Sequence, residues 1–161
     1  MVFKKAMRAF SDLTINILMK IRIYMRKQYY SLNGVSIGAS TYISPKAYID
    51  RHSPGKVKIG CNCYITRNVI ILCHTDAKRG GPLELWKDIG GKREFGYVSI
   101  GNNVFIGVNS VVMPGVTIGN DVIIGALTLV DKDIPDGKVV CGNPGKIIAS
   151  TKDYFPLQKN S

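Results

Sequence analysis

The sequence is poor in acidic residues, histidine and tryptophan, and it has no long apolar run. Its 161 residues include 11 acids, two histidines and one tryptophan. Near the N-terminus the longest uncharged stretch, Leu13 to Met19, is much shorter than the ~18 residues of a membrane-spanning helix. We therefore exclude an integral membrane protein. The stretch also lacks the small-residue cleavage site of a secretory signal, which predicts a cytoplasmic protein.

The four cysteines follow neither the spacing of a disulfide scaffold nor that of a zinc site. They are Cys61, Cys63, Cys73 and Cys141. A structural zinc site needs a closed set of Cys and His ligands, and only two histidines accompany these scattered thiols. The sequence therefore predicts reduced, mostly apolar cysteines and no metal.

Positive charge is in excess and is concentrated near the N-terminus. The 22 Lys and Arg residues give a net charge of +11, which favours an anionic partner such as a phosphate group or a membrane surface. Residues 1–30 contain seven basic residues and one acid. The chain lacks a nucleic-acid recognition motif, and the coil has no basic residues interleaved with aromatic ones, so we exclude a nucleic-acid partner.

Aliphatic residues recur at intervals of six over most of the chain. They are Ile37, Ile43, Ile49, Ile59, Ile65, Ile71, Ile100, Ile106, Val112, Ile118, Ile124 and Val130. A small or β-branched residue follows four positions later, and glycine often follows directly. Helices and alternating strands have shorter periods, whereas short strands joined by regular turns can give this one. The pattern predicts an all-β coil with the aliphatic column inside and glycines of positive φ at tight corners.

The repeats resemble a known family of enzymes. The run IGNNVFIGVNSVVMPGVTIGNDVIIGA from Ile100, with DKDIP and CGNPGKII after it, is similar to the hexapeptide-repeat acyltransferases. Within them it resembles the maltose/galactoside and bacterial polysaccharide O-acetyltransferase branch, over residues 35–148. The resemblance implies a left-handed parallel β-helix, a homotrimer with active sites between subunits, acetyl-CoA as acyl donor and a saccharide acceptor.

Interruptions of the repeat divide the chain. We expect an N-terminal helical segment over residues 1–34, a β-helix over 35–148 and a tail with little fixed structure over 149–161. The longest interruption is a loop over residues 77–97, and a loop of this length in a compact domain is usually functional or disordered. Function is therefore expected near the root of this loop.

His74 stands directly before this loop and is the candidate catalytic residue. An imidazole can remove a proton from a hydroxyl group near neutral pH, although a hydrogen-bonded wall histidine would look the same in sequence. The resemblance, whose members place a catalytic histidine before a loop in this part of the coil, favours catalysis. Asp76 either orients His74 and the substrate or is simply solvated, and Trp86 either stacks on a sugar or anchors the loop. We expect His52 to be a surface residue.

The resemblance also implies a site for coenzyme A. Its pantetheine arm would lie along Gly107, Val108, Gly125 and Ala126. Its phosphates would meet Lys132 and Lys146, whose ammonium groups suit a flexible, multiply charged ligand. Coil geometry alone could also require these glycines, and the lysines could be solubility charges.

Residues 1–30 are predicted to form a helix with an apolar stripe. The stripe consists of Phe3, Met7, Phe10, Thr14, Ile17, Ile21 and Tyr24. Two alternatives remain for it: packing within the trimer or over the open end of the coil, or peripheral binding to the inner face of the membrane.

The favoured function is acetyl-CoA-dependent O-acetylation of a saccharide hydroxyl, in surface polysaccharide biosynthesis. In this mechanism His74 acts as general base and then as general acid. The alternatives are N-acetylation of an amino sugar or nucleotide sugar, and a non-catalytic β-helix scaffold.

Overall fold

The computed structural model describes residues 2–51, 57–75 and 94–154. The chain begins with helix α1 (Val2–Leu32), which confirms the predicted N-terminal helix. Very short strands follow, and most of them have two or three residues. Successive strands belong in turn to three different parallel sheets, so the chain winds as a three-faced coil.

Each face is a ladder of strands from successive turns of the coil. The first face contains β1 (Ser36–Ile37), β4 (Val57–Ile59), β9 (Val98–Ile100) and β12 (Thr117–Ile118). The second contains β2 (Tyr42–Ile43), β5 (Tyr64–Ile65), β10 (Phe105–Ile106), β13 (Ile123–Ile124), β15 (Lys138–Cys141) and β16 (Lys146–Ser150). The third contains β3 (Tyr48–Ile49), β6 (Ile70–Ile71), β11 (Val111–Val112) and β14 (Leu129–Val130).

The aliphatic column fills the inside of the coil, as predicted. Column residues pair directly with one another from turn to turn, for example Ile59 with Ile100 and Ile106 with Ile124. All of them are buried except Ile37, which is partly buried at the open end of the first turn. Cys63, four positions after the column residue Ile59, is buried as well.

The reason predicted for the corner glycines is wrong. Positive φ angles occur two residues further along, at Ser40, Asn62, Asn68, Asn103, Asn109, Asp121 and Leu127. The glycines are needed because neighbouring turns approach closely. A Cβ atom at Gly38 would lie 2.5 Å from the carbonyl carbon of Gly60, and one at Gly60 would lie 2.4 Å from the Gly101 oxygen.

Additional elements lie at both ends of the coil and within it. At the C-terminal end, β16 runs antiparallel to β15 and is followed by the short helix α2 (Thr151–Tyr154). Ordered structure therefore extends into the tail that was predicted to have little of it. At the root of the long loop, β7 (His74–Thr75) pairs antiparallel with β8 (Glu94–Phe95).

In the described part of the chain, the helices are too short or too polar to cross a lipid bilayer.

Candidate active site

His74 lies on the edge where the third face turns into the first. It follows β6 and opens the antiparallel pair at the root of the loop, opposite Phe95. The Gly96 N–H donates to the Cys73 carbonyl at 2.9 Å, which fixes the returning strand of the loop beside it. The same edge, one turn earlier, carries Asp50 directly after β3. Coil geometry thus brings together two side chains that are 24 residues apart.

Asp50 and His74 form a hydrogen-bonded pair. Nδ1 of His74 contacts Oδ2 of Asp50. The Asp50 side chain is completely buried, whereas the His74 side chain is 14% exposed. A buried carboxylate on Nδ1 favours the tautomer with hydrogen on Nδ1, which gives Nε2 the lone pair that a general base needs.

Backbone hydrogen bonds hold the carboxylate in place. The Cys73 N–H donates to Oδ2 of Asp50 at 3.2 Å, and the Asp50 N–H donates to the Ile71 carbonyl at 2.9 Å. Both Cys73 and Asp50 are buried. Since an ionised carboxylate inside a protein must be compensated by hydrogen-bond donors, this arrangement is consistent with a charged Asp50 beside His74.

Asp50, Cys73 and His74 also place three potential metal ligands within 4.8 Å of one another. A zinc site needs each ligand atom about 2.0–2.3 Å from the ion. Here Nδ1 of His74 and Oδ2 of Asp50 bind each other, and Oδ2 also accepts the Cys73 N–H. We therefore assign the cluster as a carboxylate–imidazole pair.

Tyr48 and Arg51 border this pair. Partial burial and, to a smaller extent, the Asp50 carboxylate raise the pKa of the Tyr48 phenol. The guanidinium carbon of Arg51 lies 5.1 Å from the centre of the Tyr29 ring. The C-terminal end of α1 is therefore close to the Asp50–His74 pair.

The sequence analysis missed Asp50. It directly follows the column residue Ile49 of the third face, and no column residue of this face is followed by glycine. Asp131 has the equivalent position in the last turn and is exposed, so a carboxylate at this position did not mark the site in the sequence. The predicted partner of His74, Asp76, lies outside the described residues, as do Trp86 and His52.

The residues predicted to contact the pantetheine arm lie together at another edge, where the second face turns into the third. The pair Gly107–Val108 and the pair Gly125–Ala126 occupy equivalent positions in consecutive turns, and the Leu127 N–H donates to the Val108 carbonyl at 2.9 Å. A Cβ atom at Gly107 would lie 2.5 Å from the Ala126 nitrogen. Packing between turns thus requires Gly107 whether or not a ligand binds there.

The two predicted phosphate-binding lysines are exposed near the last turn of the coil. Lys132 follows β14, so it lies on the same edge as His74 but two turns further along. Lys146 begins β16 next to Gly145, whose N–H donates to the Leu129 carbonyl of β14 at 2.8 Å. Both lysines thus lie at the same end of the coil.

Within one chain, His74 and the Gly107 and Gly125 pairs are on different edges. His74 follows a strand of the third face, whereas both glycines follow strands of the second face. One chain therefore does not bring the Asp50–His74 pair and the predicted coenzyme wall together.

A separate groove of about 730 Å³ lies beside the second face and α2. Asp121 and Asp136 line it, and each already accepts hydrogen bonds from asparagine side chains or backbone in the neighbouring turn. Two carboxylates make this groove a poor site for the phosphates of a coenzyme. We therefore place the candidate active site at the Asp50–His74 pair.

Comparison with known proteins agrees with these structural features. The model of the family described as bacterial transferase hexapeptide (six repeats) matches residues 97–132. A putative acetyltransferase of Bacillus subtilis is 33% identical over 133 residues, which are 83% of this chain and 70% of that protein. The Staphylococcus aureus protein CapG is 44% identical over 101 residues, which are 63% of this chain and 56% of that protein.

A solved structure has the same fold. It is a galactoside acetyltransferase in complex with coenzyme A, and it is 28% identical to this chain. The match covers 77% of this chain and 70% of that one, with a TM-score of 0.59.

Proposed function

Because the chain belongs to the hexapeptide-repeat acyltransferases and is thus an acetyltransferase that uses acetyl-CoA, we propose that it acetylates a saccharide hydroxyl group. The observation that carries this proposal is the Asp50–His74 pair at the root of the loop. The galactoside acetyltransferase with a similar fold supports a sugar as acceptor. The biosynthetic setting that we propose is a surface polysaccharide made in the cytoplasm.

In the proposed reaction, Nε2 of His74 removes the proton of the acceptor hydroxyl. The oxygen attacks the thioester carbonyl carbon, and backbone amides stabilise the oxyanion that forms. When the carbon–sulfur bond breaks, His74 returns the proton to the departing thiolate. Between these two proton transfers, Asp50 stabilises the imidazolium of His74 and keeps Nδ1 protonated, as a carboxylate does for a catalytic histidine.

An acyl-cysteine intermediate does not fit the buried thiols. Burial raises the pKa of the Cys63 thiol, which suppresses the nucleophilic thiolate. Cys73 is completely buried. Direct transfer from acetyl-CoA to the acceptor therefore explains the site better.

The proposed assembly is a homotrimer of left-handed β-helices formed by residues 35–148. Two edges of each chain hold complementary parts of the site, with the Asp50–His74 pair on one and the Gly107 and Gly125 pairs on the other. In a closed ring of three copies, the first edge of one copy can face the second edge of its neighbour. Lys132 and Lys146 then bind the phosphates of acetyl-CoA.

The test is a thiol-release assay with acetyl-CoA and a panel of sugars, amino sugars and nucleotide sugars. We expect hydroxyl acceptors to be used and His74→Ala to lower the rate by about 100-fold or more, the scale of general-base catalysis. Calorimetry should show that the variant still binds coenzyme A. His52→Ala, the other histidine, serves as matched control and should leave the rate nearly unchanged.

Exclusive use of amino acceptors would instead indicate N-acetylation. An unchanged rate in His74→Ala would refute the proposed mechanism.

A further inference from the structure

One face of helix α1 packs against the coil. The Arg26 guanidinium donates to the carbonyl oxygens of Pro45 and Ala47, and Nζ of Lys27 donates to the Gly38 carbonyl at 2.8 Å. Tyr30 is buried at the same contact. Residues three and four apart in a helix lie on one side, so Arg26, Lys27 and Tyr30 define the coil-facing side of α1.

The opposite side of α1 carries a stripe of exposed apolar residues. Its members are each half exposed or more, from 49% at Ile17 to 65% at Leu18. This exposed stripe consists of Ile17, Leu18, Ile21, Tyr24 and Met25. Their spacing is that of one helix face. The coil contacts the other side of the helix only near its C-terminal end, so it does not cover this stripe. Ile15 and Met19, on that other side but nearer the N-terminus, are also about half exposed.

Basic residues flank the exposed stripe on both sides. Lys20 lies about one turn from Ile17 and Tyr24, and Arg22 lies about one turn from Leu18 and Met25. Both are exposed. The whole helix has seven basic residues and a single acid, Asp12.

We propose that the exposed stripe of α1 docks onto the surface of an anionic lipid bilayer. An apolar stripe bordered by cations suits a helix lying in the interface, with its side chains among the acyl chains and its charges at the headgroups. As described, α1 is not apolar enough over a sufficient length to cross the bilayer. A second copy of α1 is a poorer occupant, because it would bring Lys20 and Arg22 of both copies together without opposing acids.

Docking would connect the membrane with the active site. Arg51 lies over the Tyr29 ring of α1 and directly follows Asp50. The lipid-binding helix and the Asp50–His74 pair thus share one end of the coil. This inference goes beyond the proposed acetyl transfer, which does not require a membrane.

Flotation of the full-length chain with vesicles tests the proposal. The vesicles contain either phosphatidylcholine alone or phosphatidylcholine mixed with phosphatidylglycerol. We expect the chain to float with the anionic vesicles at low salt and less at high salt, since salt screens the attraction. The variant I21E/M25E should bind at least about tenfold more weakly.

The matched control is N62D/N109D, which adds the same two negative charges on exposed coil positions. It should float like the unmodified chain, and I21E/M25E should still acetylate a soluble acceptor. Equal binding of the two variants, or no flotation of the unmodified chain, would refute the proposal. A lower mass of I21E/M25E in light scattering without lipid would also refute it, because the stripe would then pack between copies.

Discussion

The Asp50 carboxylate contacts Nδ1 of His74 from the preceding turn of the coil, and both groups lie at the root of the long loop. Neither residue alone suggests a catalytic site. A buried carboxylate beside a partly exposed imidazole supports the proposed role of His74, because this arrangement gives the imidazole a defined proton-accepting nitrogen.

Asp50→Asn should therefore reduce kcat by at least about tenfold. An asparagine amide can donate to Nδ1 and so favours the tautomer whose Nε2 already carries hydrogen. The KM for acetyl-CoA should change little, since Asp50 is not expected to contact the coenzyme. Steady-state kinetics separate the two quantities.

Asp121→Asn is the matched control for that substitution. Asp121 is exposed and accepts a hydrogen bond from Asn103 at 2.8 Å, away from His74. A fall of kcat in both variants, or a change confined to KM, would contradict the positioning role of Asp50.

The repeat predicted the fold well because one column of residues forms the whole interior. Ile65, Ile106 and Ile124 are completely buried at equivalent places in three turns. The six-residue spacing of such residues therefore follows directly from the length of one strand and its corner. The corners were harder to predict. Their glycines are required by contacts between turns, and such contacts join residues that are 16 or more positions apart.

The candidate active-site pair was only half predictable for the same reason. His74 was visible because it stands directly before the long loop. Its partner Asp50 is 24 residues away. The four extra residues between Ile49 and Ile59 interrupt the six-residue period, so the sequence does not show which residues of neighbouring turns are adjacent. The burial that makes Asp50 informative is a property of the folded coil.

Leu127 provides a test of the corner geometry. It has a φ of 58° and is 68% exposed, so it has the conformational cost of a left-handed residue with little compensation from burial. Leu127→Asn should raise the free energy of unfolding by about 0.5–1 kcal/mol, because asparagine tolerates this region better. Urea denaturation measures the difference.

The reverse substitution one turn earlier gives the control. Asn109 also has a φ of 58° and accepts a hydrogen bond from Asn68 at 3.1 Å. Asn109→Leu should lower the free energy of unfolding by about 1 kcal/mol. Changes of the same sign in both variants would contradict the conformational explanation.

Cys63 should make the protein less stable at alkaline pH. Burial raises the pKa of its thiol above the ordinary 9.0, so the folded state holds the proton more tightly than the unfolded state. Stability is therefore lost as the pH rises above the unfolded pKa and through the higher folded pKa. Cys63→Ala should flatten this decline in urea titrations between neutral and alkaline pH, whereas Cys61→Ala, at an exposed position, should not.

Mixed trimers test whether the active site is completed by a neighbouring copy. His74→Ala removes the base, and Ala126→Trp fills the predicted coenzyme wall at an exposed corner, so each variant should be inactive alone. If the base of one copy faces the wall of the next, a mixed trimer contains some interfaces with both parts intact. Random mixing in equal amounts makes about a quarter of all interfaces intact. Unfolding and refolding the two variants together should therefore restore about a quarter of the activity of the refolded unmodified chain, measured by thiol release. A site contained in a single chain would stay inactive in every mixture, as would a protein that light scattering shows to be a monomer.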